Sequence, residues 1–112
     1  MIFVDYLGSP AHYSRVRQVV EAQVAEAMRV PAAQVRVRRL VTEDEGTDVE
    51  LWVELSSDEQ LYRLAQKIAQ GVAEGVRATG DPLNVWVMFR VVPLSNAFLN
   101  GEPRARGTRS FD

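Results

Sequence analysis

The sequence predicts an α/β (α+β) fold of two layers, in which a four-stranded mixed sheet carries two helices on one face. The first observation is that short apolar runs and longer amphipathic stretches follow one another in the order β-α-β-β-α-β. The second is a composition of 46% hydrophobic and 25% charged residues over 112 positions, which is typical of a globular domain. We therefore expect a single domain at 1–112, with a core at 1–93 and a C-terminal tail at 94–112.

The first strand and the first helix occupy the first thirty residues. The β-branched and aromatic run at 2–7 predicts a strand that ends at Gly8. Ser9 suits the N-cap and Pro10 the first position of a helix. That helix is predicted to end before Pro31. Its apolar stripe consists of Tyr13, Val16, Val20, Val24 and Ala27.

Alternation of side chains predicts two strands in the middle of the chain. In the segment 34–41, valines point to one face while Arg36 and Arg38 point to the other. An acidic link at 42–48 leads to the segment 49–55, in which aliphatic residues share one face. The opposite face of this third strand carries Glu50, Trp52 and Glu54.

A second helix and a fourth strand complete the pattern. Ser56 and Glu59 fit a capping box, and the apolar residues after them recur at helical spacing until the helix ends near Gly80. The following segment, 84–92, is apolar on both faces. This pattern predicts a strand that is central in the sheet and covered on both sides.

One face of this sheet is expected to lack a cover within the chain, because two right-handed crossovers place both helices on the same side. A single copy seldom exposes so much aromatic and aliphatic surface, so we predict a homo-oligomer whose sheets pack together. In the alternative interpretation the charges form a solvated face with two isolated tryptophans. The residues on this face are Trp52, Trp86, Met88 and Val92 together with Arg36, Arg38, Glu50, Glu54 and Arg90.

Charge and composition exclude several classes of function. With a net charge of -2, the chain has no strong positive field that would attract nucleic acid. No apolar run is long enough for a membrane span, and the first residues lack the pattern of a signal peptide, so we predict a cytoplasmic protein. With no cysteine and only His12 as a histidine, neither thiolate nor paired-histidine metal sites are possible, and we predict no metal and no cofactor.

Two stretches resemble a known superfamily. The segment "VPAAQVRVRRLVTE" at 30–43 is similar to the helix-to-strand passage of oxalocrotonate-tautomerase-like proteins. The ending "NVWVMFRVVPLSNAFLNGE" at 84–102, with its spacing from the segment 49–60, resembles a small uncharacterised family of the same superfamily. The resemblance implies the tautomerase fold, which macrophage migration inhibitory factor also has.

The resemblance further implies a trimer and a pocket between subunits at the start of the first strand. There an amino-terminal proline acts as general base on a keto or enol acid, and an arginine of the second strand binds the substrate carboxylate. That arginine is Arg36 if the "VRV" segments are aligned, or Arg38 if the following "TE" is aligned. We expect the tail at 94–112 to contact a neighbouring subunit.

The chain departs from this pattern at its second position, where Ile2 replaces the proline. Because removal of the initiator methionine requires a small second residue, Met1 is expected to stay and to offer a primary amine as a weak base. Three hypotheses follow. The first is weak keto-enol tautomerisation of a small keto or enol acid, and the second is a non-enzymatic module that binds a small carboxylate or a protein. The third is a ferredoxin-like dimer in which strands two and three form a hairpin through 42–48.

Overall fold

The computed structural model describes residues 1–44, 46–80 and 82–104. Four strands form one mixed sheet in the order β2-β1-β3-β4, with the first and third strands at its centre. β1 is parallel to β2 and antiparallel to β3, and β3 is parallel to β4. The predicted order of elements and the mixed sheet are confirmed. The strands are β1 (Ile2–Leu7), β2 (Val35–Leu40), β3 (Val49–Leu55) and β4 (Val85–Val91).

The connection between β2 and β3 excludes the hairpin topology. β1 lies between these two strands, so the acidic link at 42–48 steps across an intervening strand. In the ferredoxin-like alternative the two strands would be neighbours. The order of strands found here therefore removes that alternative.

The predicted central position of β4 is wrong. This strand lies at one edge of the sheet and pairs only with β3. Val85, Val87 and Phe89 pack against the core on the helical side, whereas Trp86 on the other side is 58% exposed. Apolar residues on both faces indicate that both faces need a cover. They do not fix the position of the strand within the sheet.

Two helices cover one face of the sheet and pack on each other. α1 (Pro10–Met28) begins with Ser9 as N-cap, whose Oγ accepts from the N–H of Ala11 at 3.2 Å. The C-cap of α1 is Arg29, which has the left-handed conformation (φ 56°) and donates its N–H to the carbonyls of Ala25 and Glu26. α2 spans Asp58–Ala78. Neither helix is apolar enough over its length to cross a bilayer.

The cap of α2 lies one residue later than predicted. The N-cap is Ser57, whose Oγ accepts from the N–H of Gln60 at 3.2 Å. The Oε1 atom of Gln60 accepts in return from the N–H of Ser56 at 2.8 Å. The sequence contains two overlapping capping boxes, Ser56 with Glu59 and Ser57 with Gln60, and the first helical residue at Asp58 selects the second.

The tail forms a separate small hairpin after the main sheet. β5 (Phe98–Leu99) pairs antiparallel with β6 (Glu102–Pro103). Asn100 and Gly101 form the turn between them with φ of 54° and 85°, the conformation that favours an Asn-Gly pair. Residues 105–112 lie outside the described part of the chain. The expected contact of the tail with a neighbouring subunit stays a prediction.

Two glycines of α2 let the helices approach closely, but they do so against different neighbours. A Cβ atom at Gly75 would lie 2.5 Å from Cγ1 of Val19 on α1. Valine is confined to one rotamer in a helix, so this neighbour has little freedom to move. A Cβ atom at Gly71 would instead overlap Oε1 of Gln23. That atom ends a long side chain, which can rotate away.

We expect opposite effects from the same substitution at these two positions. Gly75→Ala overpacks the helix interface and should lower the free energy of unfolding by roughly 1–3 kcal/mol. Gly71→Ala gains helix propensity and should leave that free energy unchanged or raise it by up to about 1 kcal/mol. Urea unfolding of both variants at one protein concentration measures the difference. An equal loss in both variants would contradict the rigid contact assigned to Val19.

Candidate functional site

The pleat of β1 separates the first three side chains between the two faces of the sheet. Ile2 points to the helical side and packs against the core. Met1 and Phe3 belong to the other side, which we call the open face. Phe3 is half-buried and Met1 is 56% exposed. The second position, where the resemblance leads us to expect a proline, therefore holds a partly buried side chain that packs against the core.

The two candidate arginines of β2 lie on the open face in different environments. Arg36 is the cross-strand neighbour of Phe3, and Arg38 that of Asp5. Nε of Arg38 donates to Oδ1 of Asp5 at 2.9 Å, and Nη2 forms an ion pair with the same oxygen at 2.8 Å. Its guanidinium also lies 4.7 Å above the centre of the Phe3 ring. Arg38 is thus held by contacts within its own chain.

Arg36 is exposed and makes no ion pair or side-chain hydrogen bond with any residue that the structure describes. Its place on an edge strand, opposite Phe3, brings it to the same end of the sheet as Met1. A planar guanidinium with free donors is suited to bidentate contact with a carboxylate. Of the two candidates, Arg36 is the one with donors available for a ligand.

A chain of alternating charges crosses the whole open face. Its centre is the carboxylate of Asp5, whose side chain is only 6% exposed. Oδ2 of Asp5 accepts from Nη2 of Arg90, and Arg90 Nε donates to Oε1 of Glu54 at 3.2 Å. We call Arg38, Asp5, Arg90 and Glu54 the Asp5 network. It takes one residue from each strand and therefore ties all four strands together.

Aromatic rings support this network from the same face. The Arg90 guanidinium lies 5.7 Å from the centre of the Trp52 ring, as Arg38 lies above Phe3. Such cation–π contacts restrict the planes of both guanidinium groups and lower the entropy that they lose on pairing. The open face thus has a fixed polar centre, because Asp5 receives hydrogen bonds from two oriented cations.

Sequence reasoning missed the central residue of this network. Arg38, Arg90 and Glu54 were assigned to the open face, but Asp5 and Phe3 were not. The signal was present, since Asp5 is the only charged residue of the run 2–7 and occurs between two core positions, Val4 and Tyr6. A lone carboxylate in a central strand requires a cation across the sheet.

The described residues do not form a group of three or more metal-ligating side chains. His12, the single histidine, lies at the start of α1, and its Nδ1 is 2.8 Å from Nη2 of Arg15. It is remote in the chain from Arg36 and lies on the helical layer, not on the open face. The candidate site thus consists of an amine, an aromatic ring and arginines.

Removing the charge of Asp5 should destabilise the fold more than removing an exposed charge of the same kind. Asp5→Asn leaves two guanidinium groups without their carboxylate. Both cations are partly exposed to solvent, which limits the expected loss of unfolding free energy to about 1–3 kcal/mol. The matched control is Glu59→Gln, in the exposed pair with Arg63, with an expected loss below about 1 kcal/mol. Urea unfolding measures the loss in both variants. A smaller loss for Asp5→Asn than for Glu59→Gln would contradict the stabilising role assigned to the Asp5 network.

Comparison with known proteins identifies the fold. No family profile and no characterised protein sequence matches the chain. Among solved structures, a protein of unknown function from Vibrio cholerae O1 superposes with a TM-score of 0.72 at 15% identity, over 91% of this chain and 86% of that one. A DUF1904 domain of unknown function from Sebaldella termitidis gives 0.69 at 14% identity, over 90% and 97%.

A structure with a named enzyme activity has the same fold. FG41 malonate semialdehyde decarboxylase, solved with 3-bromopropiolate, gives a TM-score of 0.68 at 14% identity over 100% of this chain and 99% of that one. Fused 4-OT proteins are also similar, and their structures include symmetric and asymmetric trimers. At these identities the likeness shows the fold alone. The order of strands, the helical layer and these superpositions together show that the chain has the tautomerase-like fold.

Proposed function

We propose that this chain assembles into a trimer and binds a small keto or enol acid at the start of β1, where it has at most weak keto-enol tautomerase activity. The observation that supports this most directly is the difference between the two arginines of β2. Arg38 is bound by Asp5, whereas Arg36, the cross-strand neighbour of Phe3, makes no ion pair with any residue that the structure describes. A guanidinium whose donors are not used within the described chain, on the strand next to the chain's amino terminus, is suited to a small organic carboxylate.

In the proposed reaction Arg36 binds the carboxylate, and the terminal amine of Met1 acts as the base. The neutral amine accepts the proton of the enol hydroxyl, and the resulting ammonium group returns a proton to the adjacent carbon, which gives the keto acid. Arg36 would also stabilise the negative charge that the intermediate carries. A primary amine on a flexible, half-exposed Met1 is less constrained than a proline nitrogen, so a low rate is expected.

Restoring the proline tests whether the scaffold can still hold a catalytic base. Ile2→Pro makes the initiator methionine removable, and we expect phenylenolpyruvate ketonisation to rise at least about ten-fold over the original chain. Adding Arg36→Ala to this variant should reduce the gain by about ten-fold, since hydrogen bonds to charged groups contribute about 1.5–3 kcal/mol. Intact mass confirms loss of the methionine, and thermal unfolding confirms that the variant folds.

The control for this experiment is Arg63→Ala, which removes an exposed arginine from α2 and should leave the rate unchanged. If the folded proline variant reacts no faster than buffer, the proposed pocket is not catalytic. If Arg36→Ala and Arg63→Ala have equal effects, Arg36 is not the carboxylate anchor.

A non-enzymatic ligand-binding role is the second candidate. It is favoured by Ile2, which packs against the core where the superfamily has its base. In this case the original chain is stabilised by small carboxylates in a thermal-shift assay and shows no turnover with any enol acid. The stabilisation is lost in Arg36→Ala. The same arginine thus supports both candidates, and turnover distinguishes them.

The open face supports assembly from several copies of the chain. Its charged residues balance in sign, with Arg36, Arg38 and Arg90 against Asp5, Glu50 and Glu54. A face that has no net charge and carries the cross-strand pair of Trp52 and Met88 in its middle is compatible with a second copy of itself. The fused 4-OT structures of similar fold are trimers, and we propose the same number of copies here.

Native mass spectrometry should give a mass of about 38 kDa, three times the 12.6 kDa of the chain. Met88→Glu places a new charge in the middle of the open face and should shift the mass to that of a single chain. The control is Tyr62→Glu, because Tyr62 is 92% exposed on α2 and points away from the sheet. A mass near 25 kDa for the original chain, or an intact trimer in Met88→Glu, would contradict this assembly.

A further inference from the structure

A second site lies at the end of the sheet opposite to Met1. A cleft of about 450 Å³ opens between the start of β4 and the last turns of α2. Because β1 and β3 are antiparallel, the start of β3 and of β4 is far from the start of β1. The lining residues that matter here are Asp48, Arg77, Leu83, Asn84 and Trp86. Nothing in the proposed function makes use of this cleft.

Trp86 provides a fixed aromatic surface in the cleft. Its Nε1 donates to Oδ2 of Asp48 at 3.0 Å, which holds one edge of the indole. The side chain is nevertheless more than half exposed, so the ring remains available for contact. Leu83, which packs against the core, adds an aliphatic surface to the same cleft. An indole held at its edge and bordered by leucine is suited to an aromatic or branched aliphatic group.

The cleft also contains two opposite charges that do not neutralise each other. The carboxylate of Asp48 accepts only from neutral donors among the described residues, Nε1 of Trp86 and Nδ2 of Asn84 (3.3 Å). Arg77, in the last turn of α2, makes no ion pair within the same described ranges. A ligand that carries one charge of each sign would compensate both groups at once.

We propose that this cleft binds the zwitterion of a free α-amino acid with an aromatic or branched aliphatic side chain. Arg77 takes the α-carboxylate, Asp48 takes the α-ammonium group, and the side chain packs on Trp86 and Leu83. The volume of the cleft is within the range of small-ligand sites. The ligand class follows from three features that coincide: an oriented indole, and a guanidinium and a carboxylate that each lack a partner of opposite charge among the described residues.

This site is separate from the proposed carboxylate site at Arg36, and each can fail without the other. The ligands also differ, since the site at Arg36 requires no ammonium group. Trp52 lies in the middle of the open face and does not line the cleft. The two tryptophans of the chain therefore report on different places.

Titration with L-phenylalanine, followed by nitrogen–proton NMR of the full chain, tests the proposal. The indole cross-peaks are assigned with a Trp52→Phe variant. We expect the Trp86 indole signal to shift in a saturable manner while the Trp52 signal does not. The probes 3-phenylpropionate and phenethylamine each lack one charge, and each should bind at least about ten-fold more weakly than L-phenylalanine.

Variants of the charged residues complete the test. Arg77→Ala should weaken L-phenylalanine binding by about ten-fold or more, and Arg63→Ala, on the same helix, should not change it. Asp48→Asn should remove the preference for L-phenylalanine over 3-phenylpropionate. The proposal is overturned if the Trp86 signal does not move up to about 10 mM ligand, or if the three probes bind equally well. It is overturned as well if Arg77→Ala binds like the original chain.

Discussion

The buried carboxylate of Asp5 is the constraint on which the open face depends. A carboxylate in the central strand, with 6% of its side chain exposed, is unfavourable unless cations lie beside it. Two cations supply this compensation, Arg38 from one edge strand and Arg90 from the other. Glu54 orients Arg90 by accepting a hydrogen bond from its Nε. The order of strands is what makes this possible, because β1 and β3 must both be central for the two edge arginines to meet Asp5 from opposite sides.

This requirement also separates the charges that hold the sheet together from those that make no ion pair with the described residues. The network occupies Arg38 and Arg90, so among the described residues the arginine of β2 that remains on the open face without an ion pair is Arg36. At the other end of the sheet, the donors to the side chain of Asp48 within the described ranges are two neutral groups, Nδ2 of Asn84 and Nε1 of Trp86. Charges held in the Asp5 network and charges that make no ion pair with the described residues thus lie close together on the same sheet and at its end. The contacts of each residue, and not its type, indicate its role.

Much of the fold could be predicted from the sequence, because alternation and helical spacing are local. β1 and β3 have the predicted bounds, and the α2 cap differs by one residue since two capping boxes overlap. The edge position of β4 could not be found this way, because a two-sided apolar pattern reports burial and not order. The role of Asp5 depends on Arg90, 85 residues away, and such pairing follows from strand order alone. For the site, alignment left Arg36 and Arg38 equal, and only the contact with Asp5 separates them.

The pleat of β1 makes the proposed site better suited to binding a carboxylate than to proton transfer. Ile2 belongs to the core, and its side chain stabilises the layer between sheet and helices. With Met1 retained, the terminal amine lies one residue beyond the nitrogen of position 2, about 3.4 Å further along the strand. Proton transfer requires the base within hydrogen-bond reach of its proton, so a displacement of this size would slow the proton transfer that we propose for the Met1 amine. The proposed carboxylate contact needs only Arg36 and does not depend on the terminus. Under this proposal the position of the base, and not that of the anchor, limits the rate.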